Sequence, residues 1–217
     1  MLKDEVRALW TLVYEIEPAR EAEYLDWFHG THIPEKLDRP GYISASHYRI
    51  VGPNATGHGF IAMFGAADTH TFLDPSPAQL RERQDELTRR MVGCRSKVQG
   101  MVLAEEWRMA GKAAPAKGTG MGAPMVVLSL FDAAGDADDA VGRWHVQELA
   151  PGLAADEGCL RIRKLLASIG SFRHALLVEL AAIDAWMAER PNLSASHDAI
   201  RSSPEFPLIG VRIWPSD

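Results

Sequence analysis

Two imidazoles and a carboxylate stand close together in one short stretch of this chain, at His29, His32 and Glu35. Imidazole is the side chain whose charge ordinarily changes between about pH 5 and 8, so His32 is a candidate catalytic acid or base, above all if aromatic rings and a tyrosine hydroxyl surround it. The alternative is structural: His32 hydrogen-bonds backbone groups freed by a bend at Pro34. The three residues are also metal ligands by type. Pro34, however, interrupts the helical path that would bring Glu35 onto their face, and no second histidine-carboxylate cluster supports a site. Glu35 is more simply an acid in the first turn of a new helix, where the dipole favours it. No metal is expected.

The element that positions His32 is a helix from Ala19 to about Gly30, whose apolar side holds Tyr24, Trp27, Phe28 and Thr31 at three- and four-residue spacing. Pro34 lacks an amide proton and disfavours helical geometry at Ile33, so the helix is expected to bend or stop near His32. Strands are expected over 8–17, 42–50, 59–64 and 99–108, with a short helix over 68–73. Ser76 and Pro77 open another helix, as N-cap and first-turn proline, with Leu80, Leu87 and Met91 inward. The order is βαββαβ, which carries the first helix back towards the start of the first strand. His32 is therefore expected near Leu9, Trp10, Tyr42, Phe64 and Trp107. Trp27, His29, Tyr42, Phe64 and Trp107 are the candidate substrate contacts.

The same pattern recurs further along. Trp27, Pro34 and Gly41 align with Trp144, Pro151 and Gly158 at a constant offset of 117 residues (27 to 144, 34 to 151, 41 to 158), and the apolar run around Leu9 to Tyr14 falls over Val126 to Phe131. An internal repeat of this size predicts two ferredoxin-like units, over 1–109 and 124–217. Residues 110–123, rich in Gly, Ala, Lys and Pro, form the linker. In the second unit strands are expected over 124–132, 158–166, 174–180 and 207–214, with helices over 138–149, 184–189 and 193–200. The aligned set Leu9, Thr11, Val13, Phe60, Ala62 and Phe64 is expected to face the helices. The opposite face, with Trp10, Leu12, Tyr14, Glu105, Arg161, Arg163, Glu179, Arg212 and two tryptophans, is expected to meet the other sheet, Glu105 and Glu179 pairing with some of the arginines.

Glu23 to Tyr42 resembles the EthD-like branch of the dimeric α/β-barrel superfamily, through Trp27, His32, Pro34, Pro40 and Gly41: an aromatic helix, a His followed closely by Pro, then Pro-Gly leading into a strand. The resemblance implies an α+β fold in which two ferredoxin-like βαββαβ units pack sheet to sheet, here as an intrachain pseudo-dimer complete in one chain, with further homo-oligomerisation open. It implies a small-molecule ligand, aromatic or polyketide-like, and no cofactor. The activities it suggests are lyase, isomerase or cyclase chemistry with His32 as acid or base. A non-catalytic ligand-binding pseudo-dimer, a cofactor-free monooxygenase and a haem protein are alternatives. The second unit has Leu149 in place of His32, Val146 in place of His29 and Gly152 in place of Glu35, so only the first can use the motif.

Composition narrows the partners. The net charge of -6 argues against a nucleic-acid partner, which calls for a basic face. The start lacks the layout of a signal peptide, no apolar run approaches a membrane span, and the two cysteines, Cys94 and Cys159, lack metal-ligand spacing. A cytoplasmic setting is expected. Asp132, Asp136, Asp138 and Asp139 lack the Gly and closing Glu of a calcium loop, and Gly118 to Gly122 lies in the linker rather than in the turn after a strand, so neither calls for a cofactor.

Overall fold

The computed structural model describes residues 5–115, 122–182 and 197–216. The helix expected over 184–189, the first half of the one expected over 193–200, and most of the glycine-rich run 118–122 lie outside these residues; residues 197–200 form a turn that leads into a short strand instead of a helix. Nine strands are described: β1 (Ala8–Ile16), β2 (Tyr42–Val51), β3 (Gly59–Ala66), β4 (Arg95–Ala110), β5 (Met125–Ala133), β6 (Cys159–Ile169), β7 (His174–Leu180), β8 (Ile200–Arg201) and β9 (Leu208–Trp214). Eight of them close on themselves in the order β7-β6-β4-β1-β3-β2-β9-β5, because β7 also pairs with β5. Every pairing is antiparallel. The two sheets meet edge to edge through β4 with β6 and β2 with β9, so no edge of the barrel is left open.

Alternation along the strands divides the core in two. Leu9, Val13, Ile61, Met63 and Leu103 point into the barrel and meet Val126, Leu128, Leu165 and Leu177 from the far wall. Trp10, Leu12, Tyr14, Phe60, Ala62 and Phe64 point outward and are covered by helices. The expected faces are thus right for β3 and reversed for β1. Register gives the reason: Trp10 stands opposite Phe64, Leu12 opposite Ala62 and Tyr14 opposite Phe60, and cross-strand neighbours share a face. In β5, Val126 and Leu128 likewise face inward. Burying a ring such as Phe60 stabilises by about 1.5–3 kcal/mol, and the outward face carries several.

The polar residues of the barrel interior form an ion network. Arg163 donates to Glu105 at 2.7 Å and to the Val6 carbonyl at 3.2 Å, and Arg161 donates to Glu179 at 2.9 Å. Arg108 joins Glu105 to Glu5. The pairing expected of Glu105 and Glu179 is therefore present.

The first helical run does not end at Pro34. Helix α1 (Pro18–Trp27) passes through a π-helical turn (Phe28–His32) into α2 (Ile33–Leu37). The Ile33 amide donates to the Phe28 carbonyl five residues back, and this wide turn lets the chain continue past a proline that has no proton to give. Helix α6 (Asp138–Trp144), a second π-helical turn (His145–Leu149) and α7 (Ala150–Ala154) repeat the arrangement before Pro151. The two turns begin and end 117 residues apart (28 to 145, 32 to 149). Between β3 and β4 lie α3 (His70–Leu73), α4 (Pro77–Glu82) and α5 (Glu86–Val92). Ser76 and Gln79 form a capping box on α4, and Asp85 caps α5 anew, which splits the single helix expected there. Leu87 is consequently exposed rather than inward, while Met91 is buried.

Candidate functional site

The π-helical turn widens the helix where it carries His32 and hands over to α2, which places Lys36 four residues later on the same face. Both side chains line a cavity of about 710 Å³ whose other walls are Trp10 and Leu12 of β1, Arg95 and Val102 of β4, and Leu80 of α4. A second cavity of about 490 Å³ adjoins it, shares His32, Lys36 and Leu80, and adds Tyr42 and Arg39. These volumes suit a small organic ligand.

Several polar atoms here have no hydrogen-bond partner among the described residues. His32 is buried between the rings of Trp27 (4.6 Å) and Phe28 (5.5 Å), and its Nδ1 is unpartnered, as are Arg95 Nη2 and the Tyr42 hydroxyl. His32 forms no hydrogen bond with the described residues, so it does not tie down the backbone at Pro34. Burial, then the cations of Lys36, Arg95 and Arg39, hold its pKa down at about 2. The ring is therefore neutral at pH 7. Lys36 stands beside it in the same cavity. Only 5% exposed, it carries its ammonium 4.7 Å from the centre of the Trp10 ring and forms neither an ion pair nor a hydrogen bond among the described residues. Burial, then Arg39 and Arg95, lower its pKa to about 7 against a smaller opposing pull from Glu35. Arg81, Arg83, Arg89, Asp74 and Asp85 complete the charged lining on the opposite wall.

The expected contacts divide. Trp27 packs at a tilt against His32, Tyr42 lines the smaller cavity, and Phe64 lies behind it at 6.1 Å from Tyr42 and 5.6 Å from Trp10. Trp107 is elsewhere, packed against the cluster of Phe131, Val141 and Ile162, because β4 runs past the first unit to pair with β6. His29 turns away from His32 to bond His47 and stacks on Trp214, which β9 delivers from the other end of the chain. Among the described residues no three His, Cys, Asp or Glu side chains are grouped as for a metal ion.

His29 ends a buried hydrogen-bonded chain. Arg95 Nε donates to the Tyr24 hydroxyl (2.8 Å), Tyr24 to the Tyr14 hydroxyl (2.9 Å), Tyr14 to His47 Nε2 (2.9 Å) and His47 Nδ1 to His29 Nε2 (2.8 Å). Arginine cannot accept, so every donor in the chain points one way and both imidazole tautomers follow from it. Burial lowers the pKa of both histidines and raises that of both tyrosines, which keeps all four neutral. Replacing Tyr14 by Phe strands the Tyr24 proton and His47 Nε2, and should cost about 1–3 kcal/mol in urea unfolding. A loss below about 0.5 kcal/mol would show that these groups find other partners.

The second unit spends its polar groups on one another. His145 donates from Nδ1 to the Val141 carbonyl (2.8 Å) and stacks on Phe131. Lys164 donates to Glu106 and His174 Nδ1, and His174 donates from Nε2 to Asp138. Leu149, opposite His32 in the repeat, packs beside Phe131 and Val141. Sequence reasoning passed over Lys36 and Arg95. The four-residue spacing of His32 and Lys36 was the available signal for the first.

No protein-family model and no curated protein matches the sequence. Solved structures do match it in shape. An anthrone oxidase-like protein superposes with a TM-score of 0.65 at 11% identity, over 98% of this chain and 94% of that one. A candidate monooxygenase from Fusobacterium nucleatum gives 0.59 at 9% identity, over 95% and 91%. The chain has the dimeric α/β-barrel fold. A chlorite dismutase from Candidatus Nitrospira defluvii has the same fold, with a TM-score of 0.58 at 8% identity over 96% and 91%. Among the described residues no helix is long and apolar enough to cross a membrane.

Proposed function

We propose that this chain is a fused, EthD-like pseudo-dimer, its units at 1–109 and 124–217 joined by 110–123, and that its first unit performs proton-transfer chemistry on a small aromatic or polyketide-like compound without a cofactor. The observation that carries the reading is the cavity beside α2, where an unpaired lysine, a neutral imidazole and a free guanidinium nitrogen converge on an aromatic wall. The exact recurrence of the π-helical turns at 117 residues supports the duplication. The motif of Trp27, His32, Pro34, Pro40 and Gly41 supports the EthD-like branch.

The roles follow from protonation. Lys36, titrating at about pH 7, is the base that removes a proton next to a carbonyl and the acid that returns it. Neutral His32 hydrogen-bonds a substrate oxygen, and the Arg95 cation stabilises the enolate that forms. The outcome, double-bond shift, ring closure or loss of water, depends on the substrate. 5-Nitrobenzisoxazole, which opens when a desolvated base removes its proton, serves as the probe. Its turnover should rise with pH through a midpoint near 7, and Lys36→Met should lower it by about 10²- to 10⁴-fold. An unchanged rate in that variant would remove Lys36 as the base, and a protein that binds the probe without opening it would be a binding module.

A further inference from the structure

We propose that Lys36 is also a nucleophile, forming an imine with an aldehyde or ketone bound in the cavity between α2, β1 and β4. The inference rests on the same cavity as the proton-transfer reading but asks a different act of the amine. An amine attacks a carbonyl only when it is unprotonated, within reach of a bound carbonyl carbon, and not held by a carboxylate. Lys36 meets the geometric conditions. It is buried, it lines both adjoining cavities, and its nitrogen lies over the Trp10 ring, where no acid neutralises it among the described residues. The other described lysines are held by partners: Lys164 bonds Glu106 and His174, Lys97 pairs with Glu15, and Lys112 with Glu157. Its lowered pKa of about 7 leaves a large share of the amine free at neutral pH.

The surroundings supply what the step needs. The Lys36 nitrogen forms a bond to the carbonyl carbon, and a proton passes from nitrogen to oxygen, giving a carbinolamine. The carbinolamine then loses its hydroxyl as water after that oxygen takes up a proton, leaving a protonated imine, so that amine and carbonyl become imine and water with no oxidant or reductant. The Tyr42 hydroxyl is the proton donor in the adjoining cavity and has no other partner. His32, neutral and unpartnered at Nδ1, can hold the departing water by a hydrogen bond. The substrate class is an aromatic aldehyde or ketone, whose ring the Trp10 wall receives.

The test is reductive trapping. The full-length protein is incubated with benzaldehyde and cyanoborohydride at pH 7, which reduces any imine to a stable secondary amine, and the adducts are located by peptide mass mapping. One adduct per chain at Lys36 is expected, because an ordinary exposed lysine has about 10³-fold less free amine at this pH. Lys36→Arg keeps a cation over Trp10 and should lose the adduct while folding normally by circular dichroism. Adducts spread over Lys97 and Lys112 with none at Lys36 would overturn the proposal. If 5-nitrobenzisoxazole is still opened in that case, the proton-transfer reading stands and only the imine is refuted; if Lys36 is trapped but the probe is not opened, the reverse holds.

Discussion

Lowering the pH from 7 to 4 is expected to unfold this protein, because its buried imidazoles must take up protons they exclude in the folded state. His32 is held down at about pKa 2 and His145 at about 4, the first cause in each being burial, and His47 is pushed well below its usual range by burial and by His29. In the unfolded chain each titrates near 6.5. Between that value and the folded pKa the unfolded chain binds more protons, so the stabilisation is complete above about pH 6.5 and is lost as the pH falls. By pH 4 His32 and His145 each withdraw roughly 3 kcal/mol, which together rival the whole stability of a typical domain. Urea unfolding at several pH values checks this, with a steep decline expected between about pH 6.5 and 4. His145→Gln should flatten the decline by about one proton. A stability that stays level down to pH 4.5 would show that these rings reach solvent or titrate normally.

Glu105→Ala should be the most destabilising single change on the inner wall of the barrel. Glu105 and Arg163 are 1% and 2% exposed in their side chains and are joined at 2.7 Å, so removing the carboxylate leaves a buried guanidinium with only the Val6 carbonyl at 3.2 Å and Glu179 at 4.0 Å. Losing one partner of such a pair costs about 3–5 kcal/mol, whereas replacing both by apolar residues is often neutral or better. Glu105→Ala should therefore shift the urea midpoint strongly, and Glu105→Met with Arg163→Met should recover most of the loss. Glu157→Ala is the control: its partner Lys112 and itself are exposed, and such pairs contribute at most about 1 kcal/mol. Equal effects at Glu105 and Glu157 would mean that the interior is wet.

The Glu105 result separates stability from chemistry, since neither Glu105 nor Arg163 lines the cavity. That separation also guides engineering of the site. Lys36 is placed by α2 and screened by Trp10, so changes at Trp10 should move its titration as well as its ligand preference, and a shift in the pH midpoint with Trp10→Leu would reveal how much of the lysine's behaviour is due to the ring.

Local sequence was enough for the order of the elements. Strand boundaries at 8, 42, 59 and 174, the Ser76 cap, and the helix through Tyr24, Trp27 and Phe28 follow from periodicity and from backbone chemistry that acts over a few residues. The α+β barrel class came from the family resemblance of residues 23–42 taken with the repeated pattern, and the pairing of Glu105 and Glu179 with arginines from the cost of leaving charges alone on an apolar face. Tertiary structure decided the rest. Which face of β1 meets the helices depended on its register against β3, a one-residue matter that alternation alone leaves open. The helix survived Pro34 because a π-helical turn absorbed the missing hydrogen bond. Trp107 and Trp214 changed sides because β4 and β9 cross to the other half to close the barrel. Most consequentially, a histidine and a lysine four residues apart on one helix could be read as neighbours from sequence. Their protonation could not, because it is set by how completely β1, β4, α4 and the cations Arg39 and Arg95 exclude water from around them.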